Sequence, residues 1–170
     1  MYTDLTNNVI TGRRWQQTFQ PGRSYRLRFV KAAIETHFRI ALDGHRMTII
    51  AADFVPTEPY TTEVLRIGIG QRYNDVVGGG QQTAGDWWLR AVPQTACSAV
   101  HVNGDNIHAI IRYDDGASSR ADPTSTSWDF GDFACDDEPL ASLVPAKAPS
   151  CRPRPSPRGK GIARRTFHSA

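Results

Sequence analysis

Apolar and polar residues alternate with a period of two through much of the span 24–113, the pattern of strands that bury one face. In SYRLRFVKA, Tyr25, Leu27 and Phe29 fall on one side and Arg26 and Arg28 on the other, which predicts a half-buried antiparallel strand. The Pro21-Gly22 pair that ends RRWQQTFQPGR is the turn that launches it. His37 to Asp43 alternates again, with Phe38, Ile40 and Leu42 inward, and Asp43-Gly44 reads as a hairpin-type turn. Met47 to Ala51 forms the next strand, with β-branched bulk at Ile49 and Ile50. Pro56 and Pro59 are expected to break the ladder, because proline has no N–H to donate. Leu65, Ile67 and Ile69 mark a further strand in TEVLRIGIGQRY, and Gly78-Gly79-Gly80 with QQTAG forms a loop. WWLRAV from Trp87 and NIHAIIRY from Asn106 are the last clear strands. Six short strands with turns between them, and no helix-period segment, predict an all-β chain, a β-sandwich or Greek-key barrel.

From Asp114 the character changes. DDGASSRADPTSTSWDFGDFACDDEP is polar and poor in aliphatics, which predicts a surface loop or interdomain linker. The end, residues 147–170, is rich in proline and arginine and is expected to be a disordered tail. The 170 residues suit one domain, placed at 1–146, with a core of ordinary size. The formal charge of +3 hides a split: residues 1–146 hold 13 basic and 17 acidic side chains, and residues 147–170 hold 7 basic and none acidic. The basic character therefore belongs to the tail, which argues against a nucleic-acid partner for the globular part. A basic tail can meet RNA or acidic surfaces, and solvated disorder is the simpler reading. No run reaches the roughly 18 apolar residues of a membrane span, so no membrane partner is expected. MYTDLTNNVI lacks the basic and apolar regions of a secretory signal, so a secreted product would take its signal from outside this sequence.

Little chemistry follows from the residues alone. The histidines at 37, 45, 101, 108 and 168 form no HxH, HxxxH or HCH cluster. His37 and His45 sit at opposite ends of one predicted strand, about 26 Å of extended chain apart. A copper or zinc site needs three or four converging ligands, so no metal site is expected in this chain. There is no GxSxG, P-loop or dinucleotide fingerprint. The GxG in GIGQRY lies inside a strand, where Gly68 and Gly70 would allow a bend or close backbone approach. Cys97, Cys135 and Cys151 allow either one disulfide with a spare thiol or three buried thiols. Glu35 precedes a strand at the mouth of a turn and by itself reads as a surface carboxylate. Its chemical capacity is to accept a proton from a hydroxyl ligand. Asp53 has the same ambiguity, with solvation or turn capping as its simpler roles.

The stretch YRLRFVKAAIETHFRIALDGHRMTIIAADFVPTEPYTTEVLRIGIGQRY, with GDWWLRAVPQTACS, NIHAIIRYDD and ADPTSTSW…CDDEPLASLVP, resembles the middle cupredoxin domain of laccase-type multicopper oxidases of the ascomycete branch. The likeness runs from about Asn8 to Pro145 and implies a cupredoxin-like Greek-key sandwich. It implies a secreted, three-domain parent that oxidises phenols one electron at a time and reduces oxygen to water. Copper in that parent belongs to the first and third cupredoxin domains, which bind it through HxH and HCH motifs; the middle domain bridges them and walls part of the phenol pocket. Glu35, in AIETHF, matches the carboxylate that hydrogen-bonds the phenol and takes its proton, and Ala96 and Cys97 match a segment lining the same pocket. Cys97 and Cys135 match a family disulfide, leaving Cys151 unpaired.

The departures are local. QRYNDVV has an extra Asn74 where the family runs QRYDV, which demands a bulge or a register flip. Gly78-Gly79-Gly80, Lys31 and ITG at 10–12 also depart, and the likeness stops after Pro145. The resemblance thus implies a fragment of a laccase-like oxidase, inactive alone and lacking both copper domains. The alternative is a non-catalytic β-sandwich interaction module with a basic tail.

Overall fold

Sheet exchange between consecutive strands organises the molecule. The computed structural model describes residues 2–4, 9–78, 80, 84–99, 104–113 and 121–146. The strands are β1 (Tyr2–Asp4), β2 (Val9–Thr11), β3 (Gln16–Phe19), β4 (Ser24–Val30), β5 (Phe38–Leu42) and β6 (Met47–Ala52). There follow β7 (Val55–Thr62), β8 (Leu65–Ile67), β9 (Arg72–Gly78), β10 (Gly85–Pro93) and β11 (His108–Tyr113), the last preceded by a 3₁₀ turn at Gly104–Asn106. One sheet has the order β3-β11-β10-β5-β8 and the other β4-β9-β6-β7, while β1 and β2 pair only with each other. All pairings are antiparallel except that of β3 with β11. The basic segment 147–170, with Cys151 and His168, and also His101, lie outside the described residues.

The core fills the space between these two sheets. Phe19, Leu42, Leu65, Ile67 and Ile111 come from one sheet and Met47, Ile49, Tyr73 and Val77 from the other, all buried. The rings of Phe19 in β3 and Tyr25 in β4 stack with centroids 3.9 Å apart, so the aromatic contact joins the sheets next to the Pro21-Gly22 turn.

Three sequence expectations need correction. Asp43-Gly44 is a turn but not a hairpin, because β5 and β6 belong to different sheets. Only glycine fits there: Gly44 has φ +65°, and an added Cβ would stand 2.5 Å from the Trp87 ring. Pro56 and Pro59 do not break a strand but lie within β7. That strand is an edge of its sheet, where a missing N–H removes no inner ladder bond. Part of its outer side is covered by Glu58 N–H donating to Val144 O and Ala146 N–H to Pro56 O, at 2.7 and 2.9 Å. The strand expected through Ile69 stops at Ile67; Ile69 is exposed and Gly70, at φ +77°, turns the chain into β9 in the other sheet. The β6–β7 turn is made by Asp53 and Phe54, both left-handed, and Asp53 Oδ1 accepts the Arg72 amide at 2.8 Å. That assigns Asp53 to turn capping.

The extra Asn74 leaves β9 unbroken. The ladder irregularity sits instead in β6, between Ile49 and Ala51, against both of its neighbours. Strict alternation along β9 then turns Tyr73, Asp75 and Val77 into the core. Asp75 is 0% exposed, and neither carboxylate oxygen has a hydrogen-bond partner. Burial pushes its carboxyl up to about 7; the amides of Asp75 and Leu27 oppose this without completing a hydrogen bond. The native state therefore keeps a proton that the unfolded chain has already lost, so stability falls as pH rises from about 4 to 7 and is flat above. Asp75→Asn should remove that decline, and Asp75→Val should stabilise the chain at pH 8 by up to about 4 kcal/mol. Urea denaturation of all three chains at both ends of this range is the check, and parallel parent and Asp75→Asn profiles would contradict it.

Candidate functional site

Glu35 lies on the loop between β4 and β5, which is anchored at both ends and bare in the middle. At its start, Lys31 N–H donates to Gln71 O and Gly70 N–H to Lys31 O, at 3.1 and 3.2 Å. Lys31 is buried, with Nζ bonded to Ala33 O at 3.0 Å and lying 5.1 Å over the Phe38 ring. Burial lowers its pKa. At the far end, His37 N–H donates to Ser98 Oγ at 3.1 Å and His37 O accepts the Gln94 amide at 2.9 Å. Between these anchors Glu35 is exposed and Ile34 is 92% exposed. Gly68 completes the support, because a Cβ there would come within 3.0 Å of His37 Cε1.

Ala96 sits in the turn after β10, and its N–H donates to Phe133 O at 3.3 Å. Next to it, Cys97 is joined to Cys135 by a disulfide. The Gln94 and Ser98 contacts with His37 therefore bring the segments carrying Glu35 and Ala96 together, and the disulfide ties both to residues 128–138. The start of the Glu35 loop walls an apolar hollow of about 270 Å³ lined by Lys31, Ala32, Ala33, Phe38, Ile67 and Ile107 among others; Glu35, Ala96 and Cys97 do not line it. Glu35 follows two residues after the Ala33 wall.

Residues 121–146 contain no named strand or helix, yet they are held firmly to the five-stranded sheet. Arg39, buried in β5, donates to Phe130 O and Asp132 O, to Ala134 O at 3.1 Å, and to the carboxylates of Asp132 and Asp136 at 3.0 and 2.7 Å. Burial alone would raise the Asp136 carboxyl, but the Arg39 hydrogen bond and the nearby Arg66 charge bring it below its ordinary value. Glu138, also buried, accepts from Tyr60 Oη at 3.0 Å and Arg66 N at 2.6 Å. Farther along, Asp43 is clamped by Arg90 through two nitrogens and by Ser125 Oγ at 2.7 Å. Alternation of apolar positions pointed away from Arg39. The available signal was a guanidinium between apolar neighbours, matched by the acidic run DFGDFACDDEP downstream.

The described histidines are otherwise engaged. His45 Nδ1 lies 2.7 Å from Asp43 O and must donate to it, so Nε2 accepts from Tyr113 Oη at 2.8 Å. Burial lowers its pKa and keeps the ring neutral. His37 Nε2 lies 3.4 Å from Asp137 Oδ1, and the His108 ring tilts against Trp88. Among the described residues no three of His, Cys, Asp and Glu gather as metal ligands, so these residues do not fit a copper centre.

The family profile for multicopper oxidases matches residues 4–116. Laccase-1 of Botryotinia fuckeliana is 45% identical over 149 residues, covering 85% of this chain and 26% of the relative. Dihydrogeodin oxidase of Aspergillus terreus is 37% identical over 150 residues, covering 86% and 24%. The crystal structure of a laccase from Botrytis aclada superposes with a TM-score of 0.73 at 44% identity, covering 84% of this chain and 25% of that one. The chain belongs to the multicopper oxidase family, is similar to laccases over most of its length, and has their cupredoxin-like sandwich fold. It spans about a quarter of the length of these relatives.

Replacing Arg39 with methionine should cost about 1–3 kcal/mol, because the Phe130, Asp132 and Ala134 carbonyls lose their donor while the Asp132 and Asp136 carboxylates face solvent. Limited proteolysis should then cut within residues 121–146 first; unchanged stability and cleavage would contradict the assignment.

Proposed function

We propose that this chain forms part of the substrate wall of a laccase-like oxidase, which takes single electrons from phenols and passes them to oxygen to give water. The observation that supports this most is the exposed Glu35 two residues beyond Ala33, which lines an apolar hollow, on a loop anchored at Lys31 and at His37. An apolar wall accepts an aromatic ring, and a carboxylate at its border accepts the hydroxyl hydrogen. Removing a phenol's proton as its electron leaves gives a neutral phenoxyl radical and avoids the high-energy radical cation. Glu35 is the acceptor in this reading, and the Ala96–Cys97 segment offers a second edge of the wall. Copper, which supplies the electron-accepting chemistry, belongs in this reading to first and third cupredoxin domains that the chain bridges. The setting in this reading is extracellular.

Two outcomes follow. In a copper-loaded oxidase containing this segment, Glu35→Ala should slow phenol oxidation roughly 100-fold while sparing non-phenolic one-electron donors. Equal loss on both donor classes would make the residue structural. The purified 170-residue chain should take up no stoichiometric copper and oxidise no phenol; bound copper by metal analysis, or any turnover, would contradict the division of labour.

A further inference from the structure

Asp75 stands on the wrong side of its sheet for a carboxylate. Its ladder partners are Leu27 on β4 and Ile49 on β6, and it has no counter-charge. The titratable side chains on the adjoining strands are Tyr25, Arg26 and Arg28 on β4 and Arg72 and Tyr73 on β9; β6 has none, and Asp53 follows it. Arg26 and Arg28 lie on the outer face, one residue either side of Leu27, and are exposed. Tyr113 and His45 in the facing sheet and its turn bond to each other.

The same sequence offers a second arrangement. If Asn74 bulges out of β9 while Tyr73 stays opposite Ala52, every later residue slips by one. Asp75 then takes the place of Asn74, opposite Ala51 and Arg28 on the outer face. Val76 takes the place of Asp75, opposite Leu27 and Ile49 in the core. Val77, now in the core, moves to the outer face beside Arg26. The slip places an opposite charge across from Arg28 and an aliphatic side chain at the vacated core position. In the core Val76 replaces Asp75 at similar volume, while Gly78 takes the place of Val77 opposite Tyr25 and leaves that position without a side chain. Asn is also among the residues that best tolerate a bulge conformation.

We propose that β9 has these two registers and that Asp75 selects between them by gaining or losing its proton. Protonated, the side chain remains in the core as observed. Ionised, it turns outward to pair with Arg28. Exposed carboxylates ionise well below neutrality, while burial holds this one protonated up to about pH 7, so the outward register gains as pH rises.

The test uses the full chain with Cys151→Ser and a single reporter, Val76→Cys or Val77→Cys. Thiol-labelling rates are divided by those of the same variant in denaturant at the same pH, which cancels the intrinsic thiol titration. At about pH 5.5 the cysteine at 77 should be protected about tenfold more than the one at 76, and at about pH 8.5 the order should reverse. Adding Asp75→Asn should keep the low-pH order at both values, and deleting Asn74 should give the high-pH order at both. An order that ignores pH in the parent overturns the proposal. So does simultaneous exposure of both cysteines at high pH, because that reports loss of the sheet rather than a slip.

Discussion

The two-residue alternation of strands allows no slack where both sheets face one core. Each pair β3–β4, β5–β6, β7–β8 and β8–β9 crosses from one sheet to the other, so the turn between its members must deliver the next strand facing correctly. Gly44 against Trp87 and the left-handed Gly70 are consequences of that demand. Asp75 is its cost, because continuity of β9 carries a carboxylate into the core.

Side-chain anchors do what the ladders cannot. Segment 121–146 lacks its own secondary structure, and Arg39, Glu138, Asp43 and the Cys97–Cys135 disulfide fasten it to the sandwich. Through the disulfide and the Ala96 amide the same segment steadies the turn that holds His37, and His37 ends the loop on which Glu35 stands. A flexible-looking stretch thus becomes the support of the candidate site. It does so through charge-assisted hydrogen bonds in which Arg39, Asp43 and Glu138 are the buried members.

Much of the sandwich was legible in the sequence, because alternation in β4, β5 and β6 reports directly which face is buried. What escaped were features decided by neighbours. Pro56 and Pro59 sit in a strand because that strand is an edge, and edge position is not a local property. Asp43-Gly44 looks like a hairpin whether its strands pair or part. Arg39 looked outward because the layer covering it comes from residues far along the chain. For the site, the residues alone offered only a surface carboxylate at 35, and its importance rested on family likeness. Its anchoring through Gln94 and Ser98 joins residues about sixty positions apart and leaves no local signature.

The most direct test of the central claim is a crystal structure of a copper-loaded oxidase containing this segment, with a phenol bound. The phenol hydroxyl should lie about 2.6–3.2 Å from a Glu35 carboxylate oxygen, with its ring against the wall near Ala96. A phenol bound productively with its hydroxyl beyond the reach of Glu35, directly or through one water, would contradict the account.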